Sequence, residues 1–264
     1  MWWRLDKAEL HDDLRKFANG KSFSDVCREV YAHYARKNGM ASPSLLGDKN
    51  PTYTLFIPKL AGLFPQARFV CLVRDYRDNI LSFHQVGFDL QSTSALAGRW
   101  NAFNREILKF SRLLPRRFLI LRYEDLLLEP RKEIERVCSF LDVPYLPQML
   151  EFYKQPKSNP AWNEKIKFPI DPGAAYRWNT TMQQAEIDKA DYICGELARE
   201  FGYEAHSPGR RSRLWLCTLP GRLQGANATA LEKIIFQLPM KTRMKILNSY
   251  RKRSGTLEPL ATGG

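Results

Sequence analysis

Residues 68–74 read Arg-Phe-Val-Cys-Leu-Val-Arg, an apolar run closed at both ends by arginine. A short run without polar alternation, bounded by charge, predicts a strand that is buried on both faces of a parallel sheet. Residues 118–123, Phe-Leu-Ile-Leu-Arg-Tyr, predict a second strand of the same kind. Because helical patterns lie between and after these two runs, the chain is predicted to be an α/β protein with a parallel sheet.

Helical spacing of apolar residues predicts most of the other elements. The segment 45–49 predicts a short strand that ends in a turn at Asn50-Pro51, and the aperiodic segment 153–181 predicts a long ordered loop. The predicted helices are two within 5–39, one over 53–64, one from about 78, one over 96–114, one over 130–141, one over 182–201, and two short basic ones near 229–238 and 240–250.

The composition excludes several classes of protein. With 44% hydrophobic residues in 264, the chain can bury a core, so disorder is excluded as its main state. Its apolar stretches fall short of the ~18 residues of a membrane span, and acidic residues follow the first methionine too soon for a signal peptide. The five cysteines form no CxxC pair and the four histidines lack ligand spacing. We therefore predict a cytoplasmic protein without a metal site.

Positive charge is concentrated at the C-terminal end. The formal net charge is +13, and residues 207–264 hold eleven Lys and Arg against two acidic residues, a net of +9. We therefore divide the chain into an α/β domain, 1–206, and a basic helical extension, 207–264. The excess favours an anionic partner. A solvated tail is the favoured interpretation, a membrane surface is the alternative, and nucleic acid is less favoured; the oligomeric state is not indicated.

Arg74 is the first candidate for a binding residue. Ligands of open α/β sheets bind beyond the carboxyl ends of the strands, and Arg74 follows the first predicted strand. Ser82 lies eight residues further on, in the helix that follows. A guanidinium and a nearby hydroxyl suit a phosphate monoester. In the alternative interpretation, Arg74 pairs with Asp78 and Ser82 faces the solvent.

Five sequence blocks resemble those of sulfotransferases that use 3′-phosphoadenylyl sulfate. The longest, FPQARFVCLVRDYRDNILS at 64–82, resembles the 3′-phosphate-binding signature of that family. The others are GDKNP at 47–51, LRYEDL at 121–126, FLDVP at 140–144 and AYRWN at 175–179. The blocks follow the family's order. The resemblance implies a three-layer parallel sheet of the P-loop nucleotide-kinase type.

The resemblance also implies a role for each matching residue. Arg74 and Ser82 would hold the 3′-phosphate, Tyr123 would lie near the adenosine, and Arg177 and Trp178 would belong to a loop that closes over the nucleotide. Lys49 matches a lysine beside the transferring sulfuryl group, where a fixed cation stabilises the charge that develops on the oxygens. The implied reaction needs no metal. The acceptor would be a hydroxyl or an amine on a small molecule, a carbohydrate or a peptide.

The chain departs from the family pattern at its beginning. Family members carry a Gly/Ser-rich loop whose backbone N–H groups bind the 5′-phosphosulfate, and no such loop occurs here. We therefore expect the α/β domain to be N-terminally incomplete. Without those donors, the chain as written should transfer little sulfate. The alternative is a non-catalytic relative that binds a nucleotide or another anion, or that interacts through the basic tail.

A general base is not identified by the sequence. Some relatives use a histidine two residues after the lysine that matches Lys49, but Pro51 occupies that position here. Asp48 lies next to the position expected for a base, but a structural role is favoured for it. His84 follows Ser82 closely and is interpreted as a residue of the helix face.

Overall fold

The structure is a computed structural model that describes residues 5–40, 45–86, 90–154, 167–205 and 211–254. The chain separates into two compact units, Met1–Ala67 and Arg68–Gly264. The boundary at 206/207, drawn from the charge distribution, stays a prediction. Residues 155–166 of the predicted loop lie outside the described residues, as do 206–210.

The first unit begins with two helices, as predicted: α1, Lys7–Phe17, and α2, Phe23–Lys37. The Asp6 side chain accepts hydrogen bonds from two backbone N–H groups of the first turn of α1. Ser22 and Asp25 form a reciprocal capping box at the start of α2. Both helices therefore begin where local side-chain chemistry satisfies the free N–H groups.

The strand predicted at 45–49 is wrong. These residues are irregular, and the Asn50 side chain accepts a hydrogen bond from the Thr52 N–H at 3.0 Å. This local cap starts a 3-10 helix, Pro51–Phe56, which leads into α3, Ile57–Leu63. An apolar pair next to glycine can read as a strand, but here side-chain capping and the following prolines favour helical turns.

The second unit contains the two predicted strands, β1, Phe69–Val73, and β2, Phe118–Arg122. They pair in parallel, with Phe69 opposite Phe118 and Val73 opposite Arg122. The described residues thus form an α/β fold with a parallel two-stranded sheet. The helices of this unit up to residue 205 are α4, Tyr76–Val86; α5, Thr93–Leu113; α6, Tyr123–Leu128; α7, Pro130–Leu141; α8, Trp178–Thr181; and α9, Gln184–Arg199.

The prediction that β1 is buried on both faces is wrong. Val70 and Leu72 are 40% and 51% exposed, whereas Val73 is buried. Side chains alternate across a strand, so one face of β1 packs into the core and the other carries these two exposed residues. An apolar run does not reveal whether both faces are covered.

The core lies where β1, α4, α5 and α9 meet. The Trp100 ring, in the middle of α5, contacts the rings of Tyr76 and Phe201 edge-on, with centroids 5.7 and 6.0 Å away. The buried residues of this cluster are Val73, Tyr76, Ile80, Leu96, Ala97, Trp100, Ile107, Ala190, Cys194, Ala198, Phe201 and Tyr203. This packing fixes the carboxyl end of β1, where the candidate site lies.

The C-terminal region consists of α10, Arg211–Gln237, and α11, Met240–Ser254. The short helix predicted near 229–238 is therefore wrong in its start, since α10 begins at residue 211 and continues through Pro220. Packing along α5 supports this helix beyond the proline that the sequence pattern treats as a break. No helix among the described residues has the length and apolar character to cross a membrane.

Candidate functional site

The carboxyl ends of β1 and β2 bring Arg74 and Tyr123 together. Each residue directly follows its strand, and the register pairs Val73 with Arg122. The Arg74 guanidinium lies over the Tyr123 ring, 4.8 Å from its centroid. A cation stacked on an aromatic ring keeps a fixed position and retains donors for an anion.

Arg74 is held by its backbone more firmly than by its side chain. The Trp100 indole Nε1 donates to the Arg74 carbonyl oxygen at 2.9 Å. The Arg74 Nη2 donates a longer hydrogen bond, 3.4 Å, to the Ala174 carbonyl oxygen. Its Nε is buried without a hydrogen-bond partner among the described residues. Arg74 as a whole is half-buried, so part of its side chain other than Nε stays accessible to a ligand.

Asp78 lies close to Arg74, but its carboxylate binds a second segment of the chain, the one around Trp178. One oxygen of the Asp78 carboxylate accepts a hydrogen bond from the Trp178 backbone N–H at 2.9 Å. Burial raises the pKa of this carboxyl, and the positive charge of Arg74 opposes the shift. The alternative interpretation of Arg74 thus holds in part, because the two charges attract each other while Asp78 fastens the segment around Trp178.

Trp178 is buried against Arg77. The Arg77 guanidinium lies 3.6 Å from the centroid of the Trp178 ring and makes two hydrogen bonds to the Asp75 carboxylate, at 3.0 and 2.8 Å. Arg177, the neighbouring residue of the predicted closing loop, is exposed. This segment is therefore fixed through Trp178, while Arg177 faces the solvent.

Ser82 is exposed on α4, the helix that begins two residues after Arg74. Its hydroxyl is accessible to a ligand. The contacts described above bring Arg74, Tyr123 and the segment around Trp178 to one edge of the sheet. Ser82 stays a candidate by its position on α4.

A buried carboxylate that the sequence analysis did not single out connects the two strand ends. Glu124 accepts a hydrogen bond from the Asp75 backbone N–H at 3.0 Å and another from the Tyr203 hydroxyl at 2.6 Å. Burial raises the pKa of Glu124, although both hydrogen bonds oppose the shift. Glu124 belongs to the LRYEDL block, so its position in that motif could have identified it as a candidate residue.

Tyr76 and Asp191 form a second buried link. The Tyr76 hydroxyl donates to Asp191 at 2.5 Å, and the same carboxylate oxygen lies 3.6 Å from the Arg77 Nη1. Burial raises the pKa of Tyr76, and the hydrogen bond to Asp191 adds to the shift. These contacts join the start of α4 to α9. No local pattern marks them, since the partners are 115 residues apart.

A cavity of about 200 Å³ lies next to this network. The Arg122 Nη2 donates to the Tyr176 hydroxyl at 3.2 Å, and Tyr176 has a positive φ of 54°. The residues that line the cavity are Asp75, Arg77, Arg122, Tyr176, Trp178, Asn179, Gly202, Tyr203 and Glu204. The edge of the sheet therefore carries three arginines: Arg77 is paired with Asp75 and Asp191, Arg122 lies 3.9 Å from the Asp125 carboxylate, and Arg74 forms no ion pair within 4 Å among the contacts of the described residues.

Lys49 belongs to the first unit and is exposed. Its backbone N–H donates to the Asp48 carboxylate at 2.8 Å, and the Tyr53 hydroxyl donates to the other oxygen of that carboxylate at 2.5 Å. Asp48 thus organises the turn that presents Lys49. The described residues contain no cluster of side chains that could hold a metal ion.

Comparison with known proteins relates this chain to sulfotransferases. The sequence profile of the sulfotransferase family matches residues 5–147. The chain is 25% identical over 196 residues to the "Putative protein-tyrosine sulfotransferase" of Caenorhabditis briggsae, covering 70% of this chain and 69% of the relative. It is 26% identical to the protein-tyrosine sulfotransferase of Drosophila melanogaster, covering 67% of this chain and 38% of that protein.

A solved structure shares the fold. The sulfotransferase domain from the Synechococcus PCC 7002 olefin synthase superposes with a TM-score of 0.53 at 28% identity. The match covers 67% of this chain and 64% of that domain, so this chain spans less than two thirds of it.

Proposed function

This chain belongs to the sulfotransferase family, whose enzymes transfer a sulfuryl group, and we propose that it uses 3′-phosphoadenylyl sulfate as the donor and a hydroxyl group as the acceptor. The family profile covers more than half of the chain, 143 of 264 residues counted from 5 to 147. The relatives named as sulfotransferases favour this activity over the non-catalytic alternative.

The arrangement of Arg74 supports the choice of donor. Its guanidinium is stacked on Tyr123 and its buried Nε has no hydrogen-bond partner among the described residues. A 3′-phosphate would accept hydrogen bonds from the accessible part of this guanidinium, and the adenosine would lie near Tyr123. Ser82, exposed on α4, would add a hydroxyl donor, and Arg177 would contact the nucleotide from the segment that Trp178 anchors.

What the transfer step needs from the protein is a cation that stabilises negative charge, more than a side chain that bonds covalently to the sulfuryl group. The acceptor oxygen forms a bond to sulfur while the bond from sulfur to the bridging phosphate oxygen breaks, and the acceptor releases its proton to the solvent. Negative charge develops on the leaving phosphate oxygen. Lys49, exposed on its turn, is the residue we propose to stabilise that charge.

Three further features of the protein belong to this proposal. The parallel pair β1 and β2 would be part of a three-layer sheet of the P-loop nucleotide-kinase type, N-terminally incomplete in this chain. The exposed Val70 and Leu72 on one face of β1 are consistent with a further layer that would cover that face. Residues 207–264 would form a basic extension of a 1–206 domain, in a cytoplasmic protein.

The acceptor is proposed only as a class. The similarity to proteins named protein-tyrosine sulfotransferases makes a peptide tyrosine the first acceptor to test. A tyrosine phenol, a carbohydrate hydroxyl and a small-molecule alcohol present the same reacting oxygen. A transfer assay with labelled donor and each acceptor class would decide among them.

Titration with adenosine 3′,5′-bisphosphate tests the donor site. We expect Arg74→Ala to weaken its binding by about 2–5 kcal/mol, the range for truncating one partner of a buried charge pair. Isothermal titration calorimetry measures the change. Arg116→Ala is the matched control, because Arg116 is an exposed arginine of the same unit.

The control should bind as the unchanged chain does. Equal affinity of the Arg74→Ala variant and the unchanged chain would remove Arg74 from the nucleotide site. Absence of binding by a folded, unchanged chain would instead contradict the proposed donor.

A further inference from the structure

Helix α10 packs against α5 through its small residues. A Cβ at Gly221 would lie 2.6 Å from the Ser94 Cβ, and a Cβ at Gly225 would lie 2.4 Å from the Ala95 carbonyl oxygen. Thr218 is buried on the same face, three residues before Gly221. The two backbones approach each other closely, which only glycine allows at these positions. The inward face of α10 between Thr218 and Thr229 therefore consists of small residues.

Three large apolar residues of α10 lie on the opposite face. At 100° per residue, Leu216, Leu223 and Ile234 fall within about 20° of one direction, and Gly225 lies about 180° from it. The three side chains are 65%, 56% and 57% exposed. Trp215 and Leu231 flank them and are about half exposed. We call Leu216, Leu223 and Ile234 the outer stripe.

Acidic residues are almost absent from this region. Between residues 205 and 257, Glu232 is the single Asp or Glu, and its carboxylate accepts a hydrogen bond from Arg99 of α5 at 3.1 Å. Exposed cations include Arg213 and Arg222 on α10 and Lys241 and Lys245 on α11. Lys233 of α10 pairs with Glu106 of α5 at 3.3 Å, whereas within the described part of α10 and α11 no carboxylate of these two helices is left to pair with the four exposed cations.

We propose that the outer stripe and the cations around it bind the surface of an anionic lipid bilayer. A helix of 27 residues is about 40 Å long and can lie in the plane of the interface. Large apolar side chains enter the boundary between headgroups and acyl chains, while Lys and Arg are attracted to the anionic headgroups. Duplex nucleic acid would satisfy the cations but would leave three leucine-sized side chains in water. The combination of apolar area with unbalanced positive charge therefore favours lipid.

Vesicle co-sedimentation of the full chain tests this surface. The probes are vesicles of phosphatidylcholine alone and vesicles that contain about 30% phosphatidylserine, an anionic lipid. We expect binding to the anionic vesicles only, weakening as salt is added because the Debye length shortens. The combined variant Leu216→Ser, Leu223→Ser and Ile234→Ser should bind at least about tenfold more weakly, since it loses three side chains that would enter the interface.

A double variant with Leu128→Ser and Leu146→Ser is the matched control, because both leucines are exposed in the same unit and lie outside α10. It should bind the vesicles as the unchanged chain does. Circular dichroism checks that all variants are folded, which we expect because every substituted residue is exposed.

The proposal is overturned if the unchanged chain does not bind anionic vesicles, or if it binds them equally without the outer stripe. It is also overturned if the outer stripe proves to join two copies of the chain, seen as a dimer in sedimentation equilibrium that the triple variant abolishes. Salt-sensitive binding to duplex DNA that the triple variant retains, without vesicle binding, would assign the cations to nucleic acid instead. None of these outcomes depends on nucleotide binding at Arg74.

Discussion

At the scale of single residues, Glu124 and Tyr203 decide how the two strand ends are held. Glu124 accepts a hydrogen bond from the Asp75 backbone N–H in the segment after β1, and the Tyr203 hydroxyl donates its one hydrogen to Glu124 at 2.6 Å, with the Val73 carbonyl oxygen 3.2 Å away. Tyr203 is buried, and burial raises its pKa, with the charge of Glu124 adding to the shift. The hydroxyl therefore stays protonated and acts as a donor to the carboxylate.

Tyr203→Phe should lower the free energy of unfolding by about 1–3 kcal/mol. The substitution keeps the ring but removes the hydroxyl that satisfies a buried carboxylate oxygen, and an unsatisfied buried group costs about that much. Urea unfolding followed by tryptophan fluorescence measures the change. Tyr192→Phe, in a half-buried position of α9, is the control and should change stability little. A Tyr203→Phe variant as stable as the unchanged chain would show that the hydrogen bond contributes nothing net.

Glu124 should also give the protein a particular dependence of stability on pH. Burial raises its pKa from the ordinary value of 4.5, so the folded chain holds this proton more tightly than the unfolded chain does. As the pH rises from 4.5 through the raised pKa, the folded state carries more bound protons than the unfolded state. The contribution of Glu124 to the free energy of unfolding therefore falls with rising pH in that window.

Glu124→Gln removes this titration. We expect the free energy of unfolding of the unchanged chain to fall relative to that of the variant as the pH rises above 4.5, the ordinary pKa of glutamate. Urea unfolding at a series of pH values gives the difference. Parallel curves for the two proteins would mean that the pKa of Glu124 is not raised in the folded chain.

At the scale of elements, the contact between α5 and α10 fixes the orientation of the C-terminal region. Gly221 and Gly225 lie one helical turn apart and meet Ser94 and Ala95. The small face must point inward because no larger side chain fits, so the larger apolar residues point outward. A single helix–helix contact thus determines which surface of α10 is presented to the solvent.

Gly225→Ala should destabilise the protein by about 1–3 kcal/mol, the usual cost of overpacking. Its new Cβ would stand 2.4 Å from a backbone oxygen, which cannot rotate away as a side chain could. Thermal unfolding measures the loss. Gly62→Ala in α3 is the control, because nothing lies within 4 Å of that position, and it should be neutral or stabilising by up to about 1 kcal/mol. If both variants behave alike, α10 does not pack on α5 as closely as described.

At the scale of the whole molecule, the main core belongs entirely to the second unit. Its buried cluster runs from Val73 to Tyr203, within Arg68–Gly264. Arg74 and Tyr123 belong to that unit, whereas Lys49 belongs to the first. The proposed contacts to the 3′-phosphate and the adenosine therefore belong to a unit that has a core of its own.

The fragment 68–264 should fold cooperatively and bind adenosine 3′,5′-bisphosphate in a manner that depends on Arg74. Its core is self-contained, and a domain with its own core can fold alone. It should not transfer sulfate, because Lys49 is absent. Urea unfolding, calorimetry and an assay with labelled donor provide the three measurements. Transfer by this fragment at the rate of the full chain would remove Lys49 from the reaction.

The sequence by itself determined both strands, most helices, and the place of Arg74 and Tyr123 at the strand ends. It did so because periodicity and charge at a strand end are local properties that neighbouring residues encode. The tertiary structure alone decided which face of β1 stays exposed, where Glu124, Tyr203 and Asp191 find their partners, and which way α10 faces. Those outcomes depend on residues about 80 to 130 positions away along the chain, and no local pattern records which element will cover which face.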